Sequence, residues 1–461
     1  MKRCALLVTF VFRVTAAYHP WSCFHGDAQH TGSSSSVVGA PLMRIAAFNV
    51  GAQISGSPVV RDDGRVLVGA RDVRLYCLDA NLTSVVWVVD LSPFGSNIYF
   101  SAPALDDSGN AYITTNRRLV KVGRDGAIRW SWPQHNLLSI SHSPVVGLDG
   151  KVYFACYSDS LYALNPDSTL AWGRNVGNDV NSAPAVGPDG RIYVATARGS
   201  GGWKLWCFNP DGSSPWAAEL AGDADFASPM VGPDTVVYVG ANRYLYAINP
   251  DGTVRWRDSL MARIQSCPAL ANESTLYVVA GARLYNVSTD SGVRWRRSIG
   301  GANYCSPAVD SHGLVYVGSA NSSGSAFYVI ASDSSVLDMH AASGEFWSSP
   351  AIAGRHVYIG NMNDTLYLFA GPNPGQAEQP VGGGSGFRIA PNPSRGMVEF
   401  DGAADATVSI YSVAGRVVFW GRVMDRYVDL RSLRSGVYIV EVRTQAGCER
   451  VRLVMAGRAG Q

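Results

Sequence analysis

Hydrophobic and polar positions alternate with a period of two in one short run after another, and each run ends in a Gly, Asp, Asn or Pro turn. Such alternation, rich in Val, Ile, Tyr and Trp, predicts strands, and the "DG"-type pairs between them predict hairpin turns. A register appears on a small residue followed by proline. The anchors are Ser57-Pro58, Ala102-Pro103, Ser143-Pro144, Ala183-Pro184, Ser228-Pro229, Cys267-Pro268, Ser306-Pro307 and Ser349-Pro350, which recur every 39 to 45 residues. After each anchor come a "VYVG"-like run and an "LYAL"-like run, and in six copies a phrase ending in tryptophan, such as "NPDGTVRW" at 249–256.

Four antiparallel strands repeating about every 40 residues predict the blades of a β-propeller. The anchor proline fits the start of an innermost strand, where no backbone donor is needed. The eighth copy stops after "LYLFAG" at Gly371 without a fourth strand, whereas "LMRIAAFNVG" (42–51) precedes the first anchor without a blade of its own. The spacing places Ala46 where the other copies carry tryptophan. Residues 42–50 are therefore expected to close the eighth blade, leaving the ring no free end. Trp87, Trp130, Trp172, Trp216, Trp256 and Trp295 are expected to pack between neighbouring blades. Blade seven carries Asp338 at that position, so its seam is expected to be the weakest.

Composition narrows the picture little. The chain of 461 residues is 47% apolar and 16% charged, with a formal charge of +2 and no basic run, so nothing points to a nucleic-acid partner. The first seventeen residues combine Lys2 and Arg3, an apolar run and small residues at Ala16 and Ala17. This is the pattern of a signal peptide for export, and no other stretch approaches the ~20 apolar residues of a membrane span.

With its "SPAVGPDGRIYVAT", "LYALNPD" and tryptophan elements, the register over about residues 20–371 resembles the PQQ-like β-propeller repeat family. The segment "WSCFHGDAQHTGSS" (21–34) looks like the lead-in common upstream of such propellers. The family holds quinoprotein dehydrogenases, which use PQQ and calcium, and the propeller lipoprotein of the outer-membrane β-barrel assembly machinery. The adjacent cysteine pair of the dehydrogenases has no counterpart among the eight cysteines here, and no calcium-ligand set can be mapped. The lipidated cysteine of the assembly factor has no counterpart either.

A Gly/Pro-rich linker is expected at 372–386, followed by a small immunoglobulin-like β-sandwich at 387–461. Pro391-Asn392-Pro393, "VSIYSVAGRVV" (408–418) and "DLRSLRSGVYIVEV" (429–442) resemble the C-terminal sorting domain of type IX secretion cargo, although Ser412 stands where that family often has Asp or Asn. The resemblance implies a domain recognised by the secretion machinery. It also implies delivery to the cell surface or medium via the periplasm.

Chemistry-bearing clusters are few. The spacing of His19, Cys23, His25 and His30 matches no strong zinc pattern. Cys77 and Cys207 fall where other blades carry Ala163 and Ala247, as small core residues. Cys267 and Cys305 sit one and two positions before their prolines, on opposite strand faces, and are not expected to bridge. A ligand site is expected where chain segments enter the innermost strands and line one mouth of the channel. These segments carry Tyr99, Phe100, His142, Asp179, Asn181, Asp225, Phe226, Arg263, Tyr304, Glu345 and Trp347. The expectation is an all-β, exported, monomeric propeller that binds a protein or glycan at the cell surface, with no catalytic residues, metal or cofactor. The alternative is a quinoprotein-type oxidoreductase acting on alcohols or sugars with a divergent PQQ and calcium site.

Overall fold

The computed structural model describes residues 19–133, 140, 142–197, 202–301, 304–321 and 324–372, and the strands alone beyond residue 387. The expected signal peptide (1–17), residues 373–386 of the linker and the Pro391-Asn392-Pro393 motif lie outside the described residues. The chain divides into two compact units, Met1–Gly375 and Gln376–Gln461.

In the first unit, eight four-stranded antiparallel sheets follow one another as predicted. Blade 5 is typical, with strands Met230–Val231, Val237–Ala241, Tyr244–Ile248 and Val254–Ser259 running from the axis outward. Blade 8 is built from Ala351–Ala353, His356–Gly360 and Thr365–Ala370, and its outermost strand is Met43–Asn49 from the start of the chain. Ala47 pairs with Tyr367 and Asn49 with Thr365, so the two ends of the repeat close one sheet.

Each repeat element has a packing reason. In blade 3, Tyr153, Ala163 and Trp172 are cross-strand neighbours, and the small residue between the two rings lets them meet at 5.8 Å. Cys207 is the equivalent spacer between Tyr193 and Trp216, which explains a buried cysteine with no partner. The outer-strand tryptophans then reach the next blade. Trp172 Nε1 donates to the Pro210 carbonyl at 2.9 Å, Trp216 to Pro250 at 2.9 Å and Trp256 to Thr289 at 2.7 Å. The last residue of the receiving turn holds left-handed backbone, as Ser168, Ser291 and Ser334 do in three turns and glycine does in others. Gly252 has φ +88°, and a Cβ there would lie 2.7 Å from the Trp216 ring. The phrase "NPDG" is thus the receptor for the tryptophan of the preceding blade.

Seam seven works differently from its expected weakness. No hairpin turn exists in blade 8 for a tryptophan to dock on, because that strand pair is where the two chain ends meet. Asp338 instead accepts the N–H of Leu42 at 2.6 Å, at the entry to the closing strand, and His340 lies 3.0 Å from the same carboxylate oxygen. A wedge of apolar surface is replaced by a charge-assisted hydrogen bond.

At five of the eight seams the residues before the anchor prolines tie neighbouring blades around the axis. The N–H of Ala102 donates to Ser143 Oγ, Ala183 to Ser228, Cys267 to Ser306, Ser306 to Ser349, and Ser349 to Ser57, all at 2.9–3.0 Å. Cys267 and Cys305 are both free and buried, as their opposite faces require.

The second unit contains a three-stranded and a four-stranded antiparallel sheet. Thr407–Ser412 pairs on both sides, with Val417–Arg422 and with Gly436–Thr444. This is the strand content expected of a small β-sandwich. Among the described residues, no helix is long and apolar enough to cross a membrane.

Candidate functional site

The two ends of the channel are closed by different means. At the end where the innermost strands exit, the segment 21–32 circles the axis. Its carbonyls accept the outward-facing N–H of the second residue after six of the eight anchor prolines. Trp21 accepts from Val60, Ser22 from Leu105, Ala28 from Val186, Gln29 from Val231, Thr31 from Leu270 and Gly32 from Val309. His25 and His30 are fully buried within this plug and turn ring nitrogens to the Pro307 and Pro229 carbonyls, at 2.7 and 3.2 Å. His19 bonds the Asp106 carbonyl and the Asp62 N–H. The histidines of the lead-in are therefore bound to backbone and do not converge on one point. Burial lowers the pKa of His30 to about 3.

At the other end, the residue three places before the anchor proline is aromatic in four blades. Phe100, Phe226, Tyr304 and Trp347 converge from blades 2, 5, 7 and 8. Phe100 stacks on Trp347 at 5.6 Å with planes 8° apart, and meets Phe226 edge-on at 4.8 Å. Tyr304 completes the group, 4.8 Å from Phe226 and 5.1 Å from Trp347. Phe24 of the plug rises beneath this floor, and only about 20 Å³ of free space remains, room for about one water molecule. All four floor rings are half-buried. Phe100 (φ 40°) and Phe226 (φ 65°) hold the left-handed backbone region, which bulky residues avoid unless their surroundings enforce it.

A polar chain borders the floor. His142 Nε2 donates to Asn181 Oδ1 at 2.7 Å, and the Asn181 amide donates to Asp225. Arg263 then bonds both Asp225 at 3.1 Å and Asp223 at 2.8 Å. Four blades are thereby linked, from 3 to 6. Burial lowers the His142 pKa to about 4, although the Asn181 bond and the Asp225 charge work against it. On the far rim, Trp347 Nε1 donates to Glu345 at 2.7 Å, while the Arg71 guanidinium lies over the Tyr99 and Trp347 rings at 5.1 and 5.4 Å.

Of the eleven residues expected at this mouth, Phe100, His142, Asn181, Asp225, Phe226, Arg263, Tyr304, Glu345 and Trp347 join one connected constellation. Tyr99 joins it through Arg71. Asp179 meets Ala197 through its carbonyl, which accepts the Ala197 N–H at 2.7 Å. Sequence reasoning missed Arg71, Asp223 and Phe24. Arg71 follows the second strand and not the entry segment, so a search restricted to entry loops passes over it. Phe24 was read only as part of a lead-in motif.

Comparison with known proteins accords with this architecture. The family described as outer membrane protein assembly factor BamB matches residues 33–199 and 158–373, and the secretion system C-terminal sorting domain matches residues 388–456. Among curated proteins, none matches significantly. Solved structures with the same fold include BamB from Moraxella catarrhalis, at 14% identity and TM-score 0.59 over 74% of this chain and 99% of that one. Quinohemoprotein alcohol dehydrogenase from Comamonas testosteroni is similar at 13% identity and TM-score 0.63, over 83% of this chain and 84% of that one. A europium-containing methanol dehydrogenase matches at 12% identity and TM-score 0.61, over 76% and 98%. At such identities the likeness concerns the fold alone.

Proposed function

We propose, from the premise that the chain belongs to the family of the outer membrane protein assembly factor BamB, that it is an exported binding scaffold whose aromatic mouth holds a glycan. The sorting domain marks the protein for export, to the cell surface or the medium, and implies contact with secretion machinery. Binding at the mouth is the part proposed here. The observation that carries it is the half-buried floor of Phe100, Phe226, Tyr304 and Trp347 beside the Asn181–Asp225–Arg263 chain. Sugar rings present an apolar face to such rings and hydroxyls to such carboxylates, amides and guanidinium groups, and half-buried rings keep a face for that purpose.

A quinone cofactor with calcium, as the dehydrogenase neighbours suggest, was tested against the same residues. A planar cofactor on the axis requires a slot, and here Phe100 and Trp347 already stack on each other over about 20 Å³ of free space. Among the described residues, no three His, Cys, Asp or Glu side chains group as metal ligands. The residues do not fit that group, and no redox step is derived. Screening purified protein on a glycan array, alongside Trp347→Ala, tests the proposal. Hits that persist in the variant, or reduction of a dye on adding PQQ, Ca²⁺ and an alcohol, would overturn it.

A further inference from the structure

The plug serves the blades unequally. Blades 1, 2 and 4 to 7 each give the N–H of the second residue after the anchor proline to a carbonyl of the plug, and blade 8 is met by Ser36, whose hydroxyl accepts the Gly354 N–H at 3.0 Å. At blade 3 the equivalent residue is Val146. It pairs with Val152 in the register that Val60 keeps with Val66, so its N–H faces the plug in the same way. Yet between Ser22, on blade 2, and Ala28, on blade 4, the chain turns in on itself. The Ser22 N–H donates to the Gly26 carbonyl and the Gly26 N–H to the Cys23 carbonyl. Among the described residues, no carbonyl accepts from Val146.

The detour opens a cleft of about 840 Å³ over blades 2 and 3, within the size range of ligand pockets. One wall is Tyr112 and Lys121, whose ammonium lies 4.8 Å over the Tyr112 ring and 3.3 Å from Asp106. Leu148 stands 73% exposed at the lip. Two carboxylates, Asp106 and Asp107, line the cleft against the single ammonium of Lys121, while burial raises the pKa of the third, Asp27, which accepts from Thr31.

We propose that this cleft takes an extended, basic segment of a partner protein, which supplies to Val146 the carbonyl that the plug supplies to six of the other innermost strands. The plug itself shows how such a segment binds, by main-chain hydrogen bonds to an exposed strand edge, the mode of β-strand addition. Charge selects the segment. The surplus of carboxylates favours lysine or arginine side chains over acidic ones. Leu148 offers an apolar contact for the residue beside the bonded carbonyl.

The test uses the full chain, an alternating lysine–valine octapeptide and its glutamate–valine counterpart. Saturable binding of the lysine peptide is expected, together with at least about tenfold slower hydrogen exchange in residues 144–150. Affinity should fall with added salt, as an electrostatic contact requires. The exposed position of Leu148 makes Leu148→Arg tolerable to the fold, and this variant should bind the lysine peptide at least about tenfold more weakly. Trp347→Ala, at the opposite mouth, should bind it like the parent protein, which separates this proposal from the glycan reading. Equal binding of both peptides, unchanged binding in Leu148→Arg, or unchanged exchange of residues 144–150 would overturn it. So would an amide at Val146 already protected in the free chain, since a segment of the chain itself would then fill the cleft.

Discussion

The two ends of the propeller axis close the same channel by opposite strategies. At the exit end the bonds come from main-chain carbonyls of residues 21–32, one blade at a time, and the side chains are largely buried. At the entry end the closure is made of side chains, with four aromatic rings left half-buried; left-handed backbone occurs at both ends, at Phe100 and Phe226 here and at His25 and His30 in the plug. Buried main-chain donors must be paired for the ring to be stable, so the exit end is an obligation of the fold. No comparable obligation leaves four aromatic rings half-buried, so the entry end is where stability has yielded to another demand.

The largest expected effect comes from the exit end. Deleting residues 19–34 leaves six innermost-strand donors without partners, each worth about 1–3 kcal/mol when buried, against a net stability of only about 5–15 kcal/mol. The expected outcome is an insoluble or unfolded chain by circular dichroism. The entry end should behave otherwise. Trp347→Ala should cost only about 1–2 kcal/mol in a chemical denaturation midpoint, since its ring is half-buried and its gains are stacking contacts. A deletion that melts like the parent, or a Trp347→Ala that fails to fold, would reverse the assignment of roles.

Next in size are the seams between blades. Trp216→Ala removes a ring packed on Gly252 and a hydrogen bond to Pro250, and is expected to cost about 3 kcal/mol. Asp338→Ala removes the acceptor for Leu42 and is expected to cost about 1–2 kcal/mol. Thermal denaturation of the two variants ranks the seams. A larger loss for Asp338→Ala would mean that the closing strand depends more on its cap than on its eight-blade geometry.

Acid should act on both ends. His142 and His30 have folded pKa values lowered to about 4 and about 3, from 6.5 when unfolded. Between those values the unfolded chain binds more protons, so stability rises with pH. This contribution is complete above about pH 6.5 and is lost as pH falls, towards 4 for His142 and towards 3 for His30. Melting temperature should drop across that window, and His142→Gln should make the slope shallower. A slope unchanged by that variant would place the proton uptake elsewhere.

The smallest effect is chemical. The six described cysteines are buried, and burial raises their thiols, Cys77 to about 11 and Cys207 to about 12. Native protein should leave these six unlabelled by a thiol reagent that modifies them on unfolding.

Much of the fold was legible because a repeat multiplies each weak signal eightfold. A single "VYVG" run is ambiguous, but eight in register with eight anchor prolines set blade number, strand order and the closing role of Met43–Asn49. The mouth was legible as a neighbourhood, because aromatic residues recur three places before the proline. Which of its residues touch was not legible. The bond from Asn181 to Asp225 crosses between blades, and Arg71 comes from the turn after the second strand of blade 1. The hydroxyl belt was hidden behind a correct but bland reading, that the residue before proline is small. Asp338 was read as a missing tryptophan, since sequence register cannot reveal that its neighbour is a junction between chain ends.

Delivery can be checked separately. Truncation after Gly371 should retain the protein in the periplasm of its host, while cell fractionation should find the full chain at the surface or in the medium. The central claim rests on the mouth. It is tested most directly by titrating an array-selected glycan into the parent protein and into the Phe226→Ala/Trp347→Ala double variant by calorimetry. The account predicts at least about a tenfold loss of affinity, about 1.4 kcal/mol, with a cooperative melt retained. Equal affinity in a folded double variant would contradict it.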